Sequence, residues 1–159
     1  MSEKYSRREQ PGSNKQPGKK IIILDTSALL AKYHLILPAI NTEILTTPSV
    51  VEEVRDIENR EALQLGLELS RIKPVEPSPK AREKTYTEAK KHKLHGKLSS
   101  TDLDVAALAL QLKEEGFDTL VITDDYSLQK LLYSMGVSFK PLRTRGIREV
   151  GRKPPGSHG

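Results

Sequence analysis

Two segments of this chain, Ile21-Ile22-Ile23-Leu24 and Leu120-Val121-Ile122, carry apolar side chains at every position. Successive residues of a strand point to opposite faces, so such a run must be covered on both sides. That demands a parallel sheet held between layers of helices. Each run passes directly into acids and hydroxyls: Asp25-Thr26-Ser27 after the first, Thr123-Asp124-Asp125 after the second. An open α/β sheet gathers its ligand groups at the carboxyl ends of its strands, so acids far apart in sequence can meet there.

The rest of the chain alternates in kind. Lys20–Leu24 is expected as a strand, and Asp25, Thr26 and Ser27 as caps for a helix over Ala28–Lys32. A turn around Pro38 leads to a weaker helix near Ala39–Ile44, and Thr46-Thr47 is extended. Helices follow over Pro48–Ile57 and Arg60–Leu69, then a short strand or extended link at Ile72–Val75. Ser78-Pro79 opens a helix to about His92. The strongest helical periodicity starts at Ser99, runs through Leu103, Ala106, Ala107 and Leu110, and stops at Gly116. Strand Thr119–Thr123, helix Tyr126–Met135 and strand Val137–Phe139 complete the body. The pattern predicts an α/β fold of three layers, α/β/α, with a central parallel sheet and right-handed crossovers. One domain spans 20–142; residues 1–19 and 143–159 are basic tails rich in Gly, Pro and Ser, in which Ile147 and Val150 are the docking candidates.

Composition narrows the chemistry. With no cysteine among 159 residues, disulfides and thiolate zinc sites are excluded. With no Trp, five Tyr and two Phe, the chain argues against stacking platforms for single-stranded nucleic acid. A net charge of +5 permits a nucleic-acid partner. No apolar stretch is long enough to span a bilayer and no signal peptide is visible, so a cytoplasmic address with no membrane partner is expected.

Each acid has a plain structural explanation. Asp25 can cap the helix after it, Glu52 and Glu53 can sit in a first helical turn, and Asp102 forms a capping-box pattern with Ser99. Asp124 or Asp125 can cap the helix at Tyr126. The group argues otherwise. Carboxylates brought together repel, and a divalent cation relieves that repulsion. Oxygen ligands without Cys or paired His suit Mg²⁺ or Mn²⁺, and the reaction that uses such an ion is phosphodiester hydrolysis. Asp104 and Asp124 are further candidate ligands, and Thr26, Ser27, Ser99, Thr101 and Thr123 are candidates to hold the carboxylates. Lys93, Lys97, Arg143 and Arg145 are candidate phosphate contacts, although such charges are commonly just a solvated face. The four histidines do not form a metal set.

The four acidic stretches resemble the signature of PIN-domain ribonucleases. They are Ile-Ile-Leu-Asp-Thr-Ser (22–27), Pro-Ser-Val-Val-Glu-Glu-Val-Arg-Asp (48–56), Leu-Ser-Ser-Thr-Asp-Leu (98–103) and Ile-Thr-Asp-Asp-Tyr-Ser-Leu-Gln (122–129). The resemblance implies a catalytic set of Asp25, Glu53, Asp102 and Asp125 that binds Mg²⁺ or Mn²⁺, with Asp124 able to share the work of Asp125. Glu-Pro-Ser-Pro (76–79), Arg-Gly-Ile (145–147) and the spelling of 46–56 and 123–129 are similar to the Nob-type endonucleases, which cut the 3′ end of small-subunit rRNA precursors. Single-stranded RNA, a ribosomal precursor and the small ribosomal subunit are the partners this implies. Nob-type proteins usually continue into a four-cysteine zinc ribbon, which this sequence does not contain. PIN domains often pair, so a homodimer is a further expectation. The alternatives are a toxin ribonuclease of VapC type and a non-catalytic RNA-binding scaffold.

Overall fold

The structure, a computed structural model, describes residues 19–37, 40–55 and 60–142. The expectations on the two tails lie outside the described residues, including Arg143, Arg145, Ile147 and Val150, as do those on Ala39 and Ile57.

Five parallel strands form one sheet in the order β3-β2-β1-β4-β5. They are β1 (Lys20–Leu24), β2 (Thr42–Thr46), β3 (Lys73–Pro74), β4 (Asp118–Ile122) and β5 (Ser138–Lys140). Helices α1 (Thr26–Leu30), α2 (Tyr33–Ile36), α3 (Pro48–Arg55), α4 (Arg60–Glu68), α5 (Pro79–Lys91), α6 (Ser100–Glu114) and α7 (Tyr126–Ser134) connect and flank them. The three-layer α/β/α expectation is met. β1 lies at the centre: Ile22 stands between Ile44 and Leu120, and Leu24 opposite Ile122. Ile23, Leu24, Leu45, Leu108, Leu112, Leu128, Leu131 and Leu132 are buried at its heart. α6 buries every residue from Val105 to Leu110, as expected of a helix apolar all round and packed in a molecule's interior. No described helix is long and apolar enough to cross a membrane.

Three expectations fail: Thr26 and Ser27 lie within α1, which Asp25 caps, Glu52 and Glu53 fall past the first turn of α3, and a segment expected as a helix is mostly strand. The segment near Ala39–Ile44, read as a weak helix, is largely β2. Asn41 adopts a left-handed backbone (φ 54°), which interrupts any helix there. Thr42, Ile44 and Thr46 are β-branched, and Ile44 and Leu45 gain burial by pairing with β1. α2 was not foreseen: a single turn of four residues leaves too short a periodic pattern to register.

Strand order turns two features into a site. The chain builds outward from β1 to β3, then returns to the other side of β1 for β4 and β5. The reversal point lies between the carboxyl ends of β1 and β4, where a crevice opens. α6 meets β4 through a tight turn at Gly116 (φ 95°), so its other end, with Asp102, lies at the carboxyl edge.

Candidate functional site

Four carboxylates come to this edge on four elements. Asp25 follows β1 and caps α1, its Oδ1 accepting from the Ala28 N–H at 2.9 Å and the Ser27 hydroxyl at 2.8 Å. It is only 5% exposed. The buried Thr123 hydroxyl also donates to it, while Thr123 Oγ1 accepts from the Asp125 N–H at 3.0 Å. One hydroxyl thus links the ends of β1 and β4. Asp125 caps α7, accepting from the Leu128 N–H at 2.9 Å. Asp102 closes a reciprocal capping box on α6, with Ser99 N–H to Asp102 Oδ2 and Asp102 N–H to Ser99 Oγ both at 3.0 Å. Glu53, in the second turn of α3, accepts from the Thr26 hydroxyl at 2.5 Å. A buried bond from the Thr46 hydroxyl to the Leu24 carbonyl, 2.8 Å, fixes β2 against β1 at the same edge.

The electrostatics shows that these groups sense one another. Burial pushes the Asp25 carboxyl up from its ordinary range; hydrogen bonds from Thr123, Ala28 and Ser27 pull it down, and the charge of Asp102 adds to the rise. Burial likewise raises Asp102, hydrogen bonds at Ser99 oppose the rise, and the charges of Asp125 and Glu53 add to it. Three helices, α1, α6 and α7, begin among these acids, so their N–H groups offset part of the negative charge.

The donor chemistry suits a hard divalent cation: every candidate ligand is a carboxylate or hydroxyl oxygen. The placement is looser than a finished site. Among the described residues no three acids or imidazoles converge closely enough to hold an ion as they stand. Asp102, Asp125 and Glu53 each commit one oxygen to the cap or hydroxyl named above, and no described residue bonds the other.

The two remaining acids do something else. Asp124 is exposed and its Oδ1 accepts from the Leu142 N–H at 2.8 Å. The Tyr33 hydroxyl donates to the Leu142 carbonyl, and burial, then the charge of Asp124, raise its pKa. Asp124 therefore anchors the segment after β5, while its neighbour Asp125 acts on Asp102. Asp104, two residues past Asp102, lies about 200° further round α6. Its Oδ1 accepts from Arg82 Nε at 2.8 Å and its Oδ2 from the Ser49 hydroxyl at 2.8 Å, and Arg82 also reaches Glu76 at 2.6 Å. Asp104 thereby ties α6 to α3 and α5, the first two of which carry Asp102 and Glu53. Ser49, Arg82 and Tyr33 were missed in the sequence, because partners 22 to 109 residues apart leave no local pattern. Arg82→Ala is expected to lower stability by roughly 1 kcal/mol, modest because the arginine is two-fifths exposed and screened. Urea unfolding of the two proteins checks this.

Of the other expected residues, Ser27, Ser99, Thr26 and Thr123 each bond a carboxylate as described, and Thr101 is buried in the first turn of α6. Lys93 and Lys97 stand exposed on the turn between α5 and α6, Lys93 in a left-handed conformation (φ 59°).

Comparison with known proteins bears on what such a site does. The sequence profile of the PIN domain of ribonuclease matches residues 22–112. Ribonuclease VapC3 of Aeropyrum pernix is 40% identical over 129 residues, 81% of this chain and 91% of that protein. Endoribonuclease Nob1 of Pyrococcus abyssi is 36% identical over 129 residues, 81% of this chain and 72% of that protein. The 20S-pre-rRNA D-site endonuclease NOB1 of Saccharomyces cerevisiae is 30% identical over 94 residues, 59% of this chain and 20% of that protein.

Proposed function

The chain belongs to the PIN-domain ribonucleases and is an endoribonuclease, a hydrolase of RNA phosphodiester bonds, and from that premise we propose that Asp25, Glu53, Asp102 and Asp125 form its hydrolytic centre. The observation that carries the assignment is the placement of four carboxylates from four separate elements at one sheet edge, three of them held by helix caps that begin there and Glu53 by the Thr26 hydroxyl. A bare cluster of carboxylates repels an RNA phosphate, so a divalent ion, Mg²⁺ or Mn²⁺, is required to bring the two together. When bound, such an ion polarises the phosphoryl oxygen and supplies an activated water. Asp25, Asp102, Asp125 and Glu53 are the residues that would hold it, directly or through water. Thr123 favours the ionised form of Asp25 against the effect of its burial, Thr26 orients Glu53, and Ser99 orients Asp102. No side chain need serve as the nucleophile. Lys93, Lys97, Arg143 and Arg145 supply positive charge for the RNA backbone.

The substrate we favour is the 3′ end of the small-subunit rRNA precursor, cut in the cytoplasm. Supporting it are the similarity to Endoribonuclease Nob1 and the Nob-type spelling of residues 46–56, 98–103 and 123–129. The toxin reading is supported by a different fact: Ribonuclease VapC3 is 40% identical to this chain over 129 residues, against 36% for Nob1 of Pyrococcus abyssi. Cleavage of a short RNA spanning the end of small-subunit rRNA, beside a scrambled control, decides between them. Selective cleavage supports the precursor; equal cleavage of both overturns it in favour of the toxin type. In either case EDTA should stop cleavage and added Mn²⁺ or Mg²⁺ restore it.

Thr123 makes the reading testable by pH. Thr123→Val removes a bond that holds the Asp25 pKa down, so that pKa rises further. As pH falls, Asp25 then takes up its proton at a higher pH than in the parent, and the acid limb of the cleavage profile should move upward. Loss of the hydroxyl should also cost about 1–2 kcal/mol, since it leaves the Asp125 N–H without its acceptor. An unmoved acid limb would argue against Asp25 as an ionised participant.

A further inference from the structure

The outer face of α7 carries Tyr126, Lys130 and Tyr133, spaced i, i+4 and i+7. That spacing sets three side chains in one row. The opposite face buries Leu128, Leu131 and Leu132, while Tyr126 is 70% and Tyr133 42% exposed. The Lys130 ammonium lies 5.3 Å from the centre of the Tyr126 ring. The chain has seven Tyr and Phe residues in all, so two of them on one solvent-facing row is a concentration, not a scatter. The row begins at the residue after Asp125, where α7 leaves the carboxylate cluster.

We propose that Tyr126, Lys130 and Tyr133 form a platform on which bases of a single-stranded RNA stack beside the cleaved phosphate. This rests on the ribonuclease reading above. Tyrosine rings accept any base face, and a lysine between them neutralises a backbone phosphate. Scarcity of aromatics, taken in the sequence as evidence against such a platform, describes the whole chain and not this helix. Charge selects RNA over a second copy of the chain as the occupant. A two-fold pairing of the row would bring one Lys130 against another, whereas a polyanion complements it.

The test is binding of a short fluorescein-labelled single-stranded RNA, followed by anisotropy with Mn²⁺ in an uncleaving Asp102→Asn background. Tyr126→Ala should weaken binding about tenfold with the melting temperature unchanged, and Tyr126→Phe should bind like the parent. RNAs carrying one abasic position at a time should lose affinity at a defined position with the parent, and lose nothing further there with Tyr126→Ala. Three results overturn the platform: Tyr126→Ala binding as tightly as the parent, Tyr126→Phe as weak as Tyr126→Ala, or Tyr126→Ala converting a dimer to a monomer in sedimentation without touching RNA affinity. If the unmodified chain, folded, neither binds nor cuts RNA, the ribonuclease reading falls first. If it does both and Tyr126→Ala is silent, the platform alone is wrong.

Discussion

Replacing Asp25 by Asn is expected to slow RNA cleavage by ~10²–10⁴-fold while raising the melting temperature in metal-free buffer. The two effects have one cause. Burial and the charge of Asp102 disfavour the ionised form of Asp25 in the folded protein. A carboxyl raised on folding stabilises the fold fully below its ordinary pKa of 3.8, and that contribution disappears as pH climbs through the raised value. At neutral pH the charged group is therefore a burden on the fold. Asn removes the charge but keeps the cap, since its carbonyl oxygen can still accept from Ala28 and Ser27. A gain of 1 kcal/mol would appear as about 2–4 °C in a domain this size. Mn²⁺ should stabilise the parent by binding its folded state and do little for Asp25→Asn. The contrary case is a scaffold in which the acids merely cap helices. There, Asp25→Asn would leave cleavage and the Mn²⁺ response as they were, because Asn caps as well as Asp.

Gly66→Ala is the second large effect, and its sign runs against helix propensity. In an exposed helix interior the change from Gly to Ala is stabilising by roughly 1 kcal/mol. Gly66 is instead buried within α4, where a Cβ would fall far inside van der Waals contact of His34 Cδ2, 3.0 Å from its Nε2 and 3.4 Å from Ile72. His34 is fully buried in α2, so its ring has no solvent to retreat into. The substitution should destabilise by about 1–3 kcal/mol through overpacking. Pairing it with His34→Ala should recover part of that loss, measured as non-additivity in a double-mutant cycle. If Gly66→Ala alone raises stability, α2 and α4 are not packed as described.

Much of this was legible in the sequence, and the remainder was not for identifiable reasons. β1 and β4 declare themselves because a strand buried on both faces has no polar position to confuse it. β2 was hidden because its five residues follow Ile40 and Asn41, and short mixed runs fit helix and strand alike. At the site, capping and clustering were posed as rivals for each acid. For Asp25, Asp102 and Asp125 the fold makes the two compatible, since a helix that begins at the carboxyl edge of a parallel sheet places its capping residues beside the crevice. Asp124 and Asp125 are neighbours in the chain, so only three dimensions could part them: one bonds Leu142, the other faces Asp102. Asp104 looked like a spare ligand until its partner Arg82 was seen.

Leu142 is gripped from two sides, its N–H by Asp124 and its carbonyl by Tyr33, and the grip lies next to Asp125. Lys20, by contrast, opens β1 at the far margin of the sheet. A fluorophore or affinity handle attached directly after Leu142 would thus be tethered beside Asp125, where it would compete with RNA for room. The same appendage ahead of Lys20 is launched from the back of the enzyme and leaves the crevice clear.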